Sequence, residues 1–165
     1  MIRSVRFWKP AVIAAGIAMV STSAVTVASA AGPFDSLNGS WSGAGNIRLD
    51  DGRTEGLKCK AYYSPRSGGA SMGLALRCAS ASNKIDLRAT LNSTGNRIAG
   101  SWEERTFNVT GSASGQAAGN AIKLAIEAGV LAGSLSVVTN GQSQTISVRT
   151  DGAALKGVHI NLRRD

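Results

Sequence analysis

The sequence predicts an all-β domain: an antiparallel up-and-down meander of about ten strands, closed into a barrel or a flattened barrel and stapled by one disulfide. Three observations lead there. Apolar and polar residues alternate through a series of short segments, the period of a strand covered on one face. Turn pairs punctuate them: Asp51-Gly52, Gly68-Gly69, Thr94-Gly95, Asn140-Gly141 and Asp151-Gly152. Finally, Cys59 and Cys78 lie equally far from Gly68-Gly69. A hairpin folded there pairs the cysteines directly and puts Leu57, Cys59, Ala61 and Tyr63 on one face with Met72, Leu74, Leu76 and Cys78. One open sheet of so many strands would expose two edges, and closure removes them.

The chain begins with Arg3, Arg6 and Lys9, an apolar run from Ala11 to about Val27, and Ala28-Ser29-Ala30. That is the pattern of a secretory signal peptide over residues 1–30, cut after Ala30. The Ser/Thr-rich end of the run argues against an uncleaved anchor, and the lack of a following cysteine against a lipid anchor. A periplasmic or secreted bacterial location follows, where two cysteines form a disulfide. From Ala31 onward, fifteen basic residues against ten acidic leave a net charge of +5.

Residues 31–39 read as an extended lead-in containing Pro33, and 40–165 as a single barrel domain. The expected strands are Ser40–Leu49, Thr54–Ser64, Ala70–Ala79, Lys84–Leu91, Arg97–Glu104, Thr106–Ala113, Asn120–Glu127, Ser134–Thr139, Ser143–Thr150 and Leu155–Arg163. Ala117–Leu131 has a helical composition, but Ile122, Leu124 and Ile126 alternate, so a strand is expected. Two-residue turns at Asn140-Gly141 and Thr94-Gly95 place Leu135 opposite Ile146 and Leu87 opposite Trp102. The inward set is apolar, including Ile47, Leu74, Leu76, Leu87, Ile98, Leu124, Val137, Ile160 and Leu162. The outward set is Ser, Thr, Asn and charged residues. A membrane barrel would reverse this and carry aromatic girdles, so a soluble barrel without stable membrane insertion is expected. Lys60, Arg77, Asp86 and Glu103 should align across the outer face as a solvated wall of mixed charge.

Candidate chemistry is sparse. The single histidine, His159, faces opposite to Val158 and Ile160, with no nucleophile motif around it. One histidine and two oxidised cysteines make no zinc site. Glu103 and Glu104 are strand neighbours on opposite faces and cannot act as a close carboxylate pair. No phosphate loop or dinucleotide fingerprint is present. Basic residues interleaved with acids, and few aromatics, argue against nucleic acid. The expectation is therefore no enzyme activity, no catalytic residue, no metal and no cofactor.

Two Gly-Ser-Trp units stand out, at Gly39-Ser40-Trp41 and Gly100-Ser101-Trp102. In this register Trp41 falls across from Tyr63 and Trp102 one level away on the inner surface. An even strand count brings the last strand beside the first, so Arg164 points inward and its guanidinium stacks on the Trp41 indole. Trp41, Trp102 and Arg164 are thus structural candidates that plug one barrel end. Gly39-Ser40-Trp41 at the first strand, with Arg163 or Arg164 at the last, resembles the calycin group, the lipocalins and related ligand-binding barrels. The order Gly39, Trp41, Cys59, Cys78 is similar to that of bacterial periplasmic protease inhibitors of the Inh/Omp19 type, though those have eight strands. The Gly-Ser-Trp-Ser-Gly start and cysteine hairpin also look like those of short exported alphaproteobacterial proteins, a likeness that brings no function.

The resemblances imply a non-catalytic binding protein whose partner is either a small apolar ligand or an envelope or secreted protein. A ligand would enter at the end away from Trp41, formed by the loops near Asp51, Ala81, Arg105, Val130 and Asp151, and would meet Leu49, Leu57 and Ile85. A protease inhibitor would instead have a filled interior and an ordered Ala31–Asn38 arm that enters a protease cleft. A structural envelope protein would have neither.

Overall fold

The computed structural model describes residues 31–151 and 154–165; the expected signal peptide and the glycine of the Asp151-Gly152 turn lie outside them. A short 3₁₀ turn, Asp35–Leu37, precedes ten strands: β1 (Gly39–Leu49), β2 (Thr54–Arg66), β3 (Ser71–Ala79), β4 (Lys84–Thr94), β5 (Arg97–Glu104), β6 (Val109–Ala118), β7 (Ala121–Ala128), β8 (Leu131–Asn140), β9 (Ser143–Asp151) and β10 (Leu155–Arg164). Each pairs antiparallel with the next and β10 returns to β1, closing a ten-stranded barrel. The alternating Ile122, Leu124 and Ile126 do form a strand, with Ile122 and Leu124 buried. The expected sixth strand, Thr106–Ala113, is displaced to Val109–Ala118. Two features stop it from starting earlier. The Glu104 carboxylate accepts the Phe107 N–H at 2.6 Å, and Asn108 sits at φ 54°.

The central hairpin has the expected register. Cys59 faces Cys78, Ala61 faces Leu76 and Tyr63 faces Leu74. The cysteines are disulfide-bonded, with Cα atoms 4.1 Å apart. Ser67, Gly68 and Gly69 take φ of 53°, 62° and 79°, so the turn reverses through left-handed backbone that the two glycines adopt without strain.

Three other registers differ from expectation by two residues. Trp41 faces Ala61, not Tyr63. Leu87 faces Glu104, while Trp102 faces Ala89. Leu135 faces Val148, while Ile146 faces Val137. One cause covers the last two. The hairpins use Gly95-Asn96 and Gly141-Gln142, with glycine first in the loop at φ 62° and 58°. Gly119-Asn120 and Gly129-Val130 repeat the arrangement at φ 58° and 59°. A single positive φ at the first loop position is the type II′ pattern, whereas the expected Asn-Gly turn needs two. Asn140 therefore stays in β8, where its side chain accepts a hydrogen bond from Asn120 at 2.6 Å. A shift of two keeps every side chain on its face, so the core is unaffected.

Barrel closure rests on inward glycines. A Cβ at Gly43 would meet Asn161 O, and one at Gly45 would meet His159 O, so β10 crosses β1 too closely for a side chain. Gly100 on β5 and Gly111 and Gly115 on β6 are similarly crowded by the backbone of β4 and β7. These positions bend the sheet enough to close it.

Candidate functional site

The two barrel ends are built differently. At the Trp41 end the lead-in folds back across the opening. Gly32 donates to Gly68 O at 2.7 Å and Phe34 to Gly69 O at 3.2 Å. Phe34 and Leu37 are then buried and belong to the same core as Trp41, Tyr63, Met72, Leu91, Ile98, Ile146 and Leu162. Trp41 and Arg164 hold this plug. They face each other across β1 and β10, and the guanidinium lies 4.3 Å over the indole. The indole N–H donates to Leu37 O at 2.8 Å, and Arg164 donates to Ser36 O at 2.6 Å and to Asn38 O. Two side chains thus satisfy three successive carbonyls at the end of the lead-in, Ser36 to Asn38. Tyr63, although not opposite Trp41, meets it edge to face at 6.4 Å and 86°.

Trp102 does not join this plug. It sits four strands around the ring, half-buried over Gly111, where a Cβ would strike the indole. Its N–H donates to Ser112 O at 3.0 Å.

At the opposite end no segment crosses the opening among the described residues. The inward apolar side chains there are only half-buried: Leu49, Ile85, Leu87, Val109, Leu131, Leu155 and Val158. Of the three residues expected to meet a ligand, Leu49 and Ile85 lie in this ring. Leu57 lies among the fully packed β1–β3 side chains at 2% exposure, beside Ile47, Cys59 and Cys78. Sequence position alone could not separate Leu57 from its neighbours, because alternation gives the face and not the depth. The rim also carries Phe107, 59% exposed, and Val130, 92% exposed. Its inward polar groups are already satisfied. Glu104 accepts from the Asp86 and Phe107 N–H groups, and Glu55 accepts from Ser80 and Ser82 at 2.7 and 2.6 Å. Those hydroxyls, Ser82 first, hold the Glu55 carboxyl below its usual range.

A buried polar chain lies near the plugged end. Tyr63 donates to Gln144 Oε1 at 2.6 Å, and Gln144 Nε2 donates to Thr139 at 3.2 Å. Burial pushes the Tyr63 phenol well above the usual tyrosine value. The folded protein thus holds this proton more tightly than the unfolded chain. The corresponding stability is complete below about pH 10 and is lost as pH rises beyond it. Urea unfolding of wild type and Tyr63→Phe at about pH 8 and about pH 11 should show the phenylalanine variant losing less over that interval. Equal losses would mean that the phenol is hydrated.

On the outer wall His159 is exposed, 3.1 Å from Ser147 Oγ and 3.4 Å from Asn161 Nδ2. Among the described residues no carboxylate orients the ring, and the pair faces solvent. Two shallow concavities also lie on the walls, one around Thr90, Ser101, Trp102 and Thr110, the other around Ser42, Ser143, Thr145 and Arg163. Among the described residues no three His, Cys, Asp or Glu side chains cluster as metal ligands, and no helix is long and apolar enough to cross a membrane.

No protein-family model matches the chain, and no curated protein does. Among solved structures, it is similar to the crystal structure of Rv2717c from M. tuberculosis, with a TM-score of 0.63 and 15% identity over 79% of this chain and 94% of that one. At that identity the likeness is one of fold.

Proposed function

We propose that this is an exported, non-catalytic binding protein that takes a small apolar molecule at the barrel end opposite Trp41. The observation that carries the reading is the asymmetry of the two ends. One is closed by Phe34 and Leu37 under the Trp41–Arg164 clamp. The other presents a half-buried apolar ring whose polar neighbours are already hydrogen-bonded. Pockets for small ligands are concave and mostly apolar, and barrel mouths are a recurrent location for them. A ten-stranded barrel also encloses more space than an eight-stranded one.

The inhibitor reading of Inh/Omp19 type draws less support. It asks Ala31–Asn38 to enter a protease cleft, yet Phe34 and Leu37 are buried in this chain's own core. Releasing them would unseal the barrel.

Titration with a fluorescent fatty-acid analogue tests the proposal. Saturable binding is expected, and Ile85→Trp should weaken it at least about ten-fold, roughly 1.4 kcal/mol, while thermal unfolding is retained. Absence of saturable binding, or equal affinity in the variant, would defeat this reading. Inhibition of a secreted protease would then favour the alternative.

A further inference from the structure

The chain's net charge is concentrated on one wall. Outward positions on β2–β4 carry six cations, Lys58, Lys60, Arg66, Arg77, Lys84 and Arg88, against one acid, Asp86. The remaining described residues hold nine basic and nine acidic side chains. The +5 of the described residues therefore resides on the outward face of three adjacent strands. The register sets Glu103, on β5, opposite Arg88 at the edge of this wall and not beside Asp86.

Folding does not account for the arrangement. Lys60 and Arg77 face each other directly, a like-charge pair that weakens a sheet. Asp86 is ringed by Arg77, Arg88 and Arg105 at 3.7, 3.6 and 3.9 Å, distances that leave guanidinium N–H groups available to another acceptor. Lys58, Lys60 and Lys84 form no ion pair among the described residues. Between the cations stand small residues, Gly73, Ala75 and Ala79, so no bulky neighbour screens them along β3. Its exposed aromatic is Tyr62, 44% exposed, across from Ala75.

We infer that this wall docks on an anionic phospholipid bilayer. Cations gathered on one wall can approach a plane of phosphates together, and cations near such a surface are attracted cumulatively. A single tyrosine, apolar in body and polar at its tip, suits the headgroup region. Nucleic acid is less well matched, since single strands need several stacking aromatics and duplexes an element that enters a groove. The inference does not depend on the barrel holding a ligand.

Co-sedimentation of the mature chain tests it, using vesicles of phosphatidylcholine alone and with about one-third phosphatidylglycerol. Binding is expected only to the anionic vesicles, and it should fall as salt shortens the Debye length from about 10 Å to about 3 Å. Losing one lysine should weaken binding about five-fold, so Lys58→Gln with Lys60→Gln should weaken it about thirty-fold. Lys123→Gln with Arg149→Gln, two outward cations elsewhere on the barrel, should leave it within about two-fold. Unchanged thermal unfolding would show that both double variants fold. Equal binding to the two vesicle types, equal loss in both double variants, or tighter binding to a short DNA duplex than to anionic vesicles would overturn the inference.

Discussion

Replacing Trp41 by alanine is expected to lower the unfolding free energy by about 3–5 kcal/mol, the range for truncating a large buried aromatic. Several effects coincide at this residue. The indole is fully buried, so its removal leaves a cavity at the base of the barrel. Its edge-to-face contact with Tyr63 goes, and Arg164 loses the ring beneath it. Leu37 O loses its donor, leaving Arg164 and the Gly32 and Phe34 backbone bonds to hold the lead-in. Phe34 and Leu37 are then held less firmly, and the lead-in should become cleavable. Urea denaturation gives the first quantity, and limited proteolysis between Ala31 and Asn38 the second. Trp41→Phe keeps the ring and drops only the N–H, so it should cost about 1–3 kcal/mol for the carbonyl left unpaired. A loss below about 1 kcal/mol in Trp41→Ala would show that the end is not closed by this side chain.

The parts of this fold legible in the sequence are those fixed by local chemistry. Alternation of period two decides which face each residue takes, and a register shift of two leaves that unchanged. The inward assignments of Leu74, Ile98, Leu124 and Ile160 therefore survive, although the Thr94-Gly95 and Asn140-Gly141 turns are displaced to Gly95-Asn96 and Gly141-Gln142. The Cys59–Cys78 hairpin was legible because its turn lies symmetrically between two residues that must meet. The Trp41–Arg164 contact was legible because closure of an even meander brings the chain's ends together. Depth along the barrel axis has no such local sign. Leu49, Leu57 and Ile85 look alike in sequence, yet Leu57 is packed and the other two line the opening. The closing role of Phe34 and Leu37 was also hidden. A Phe three residues before a Leu suggests no strand, and its burial depends on where Gly68 and Gly69 come to lie. The inward glycines were legible as small residues, but their contact with neighbouring carbonyls appears only once the sheet is bent.

Removing the disulfide, with Cys59→Ala and Cys78→Ala together, is expected to lower stability by about 2–5 kcal/mol. The bridge closes a separation of 19 residues, for which chain-entropy arguments give about 3 kcal/mol. That term acts on the unfolded chain, in which the bridge holds β2 beside β3 before any other strand has paired. The folded chain adds a second term, because both cysteines are buried beside Leu57 and Ile47 and alanine leaves their sulfur volume empty. The ladder itself does not need the bridge, since Lys58 to Arg66 pair continuously with Ala79 to Ser71. The double variant should thus keep the wild-type circular dichroism spectrum while its urea midpoint falls. The single variants should be no more stable than the double, because each leaves an unpaired thiol in the same packed layer. If the double variant unfolds within about 1 kcal/mol of wild type, the hairpin must already be formed in the unfolded ensemble, and the staple contributes little beyond it.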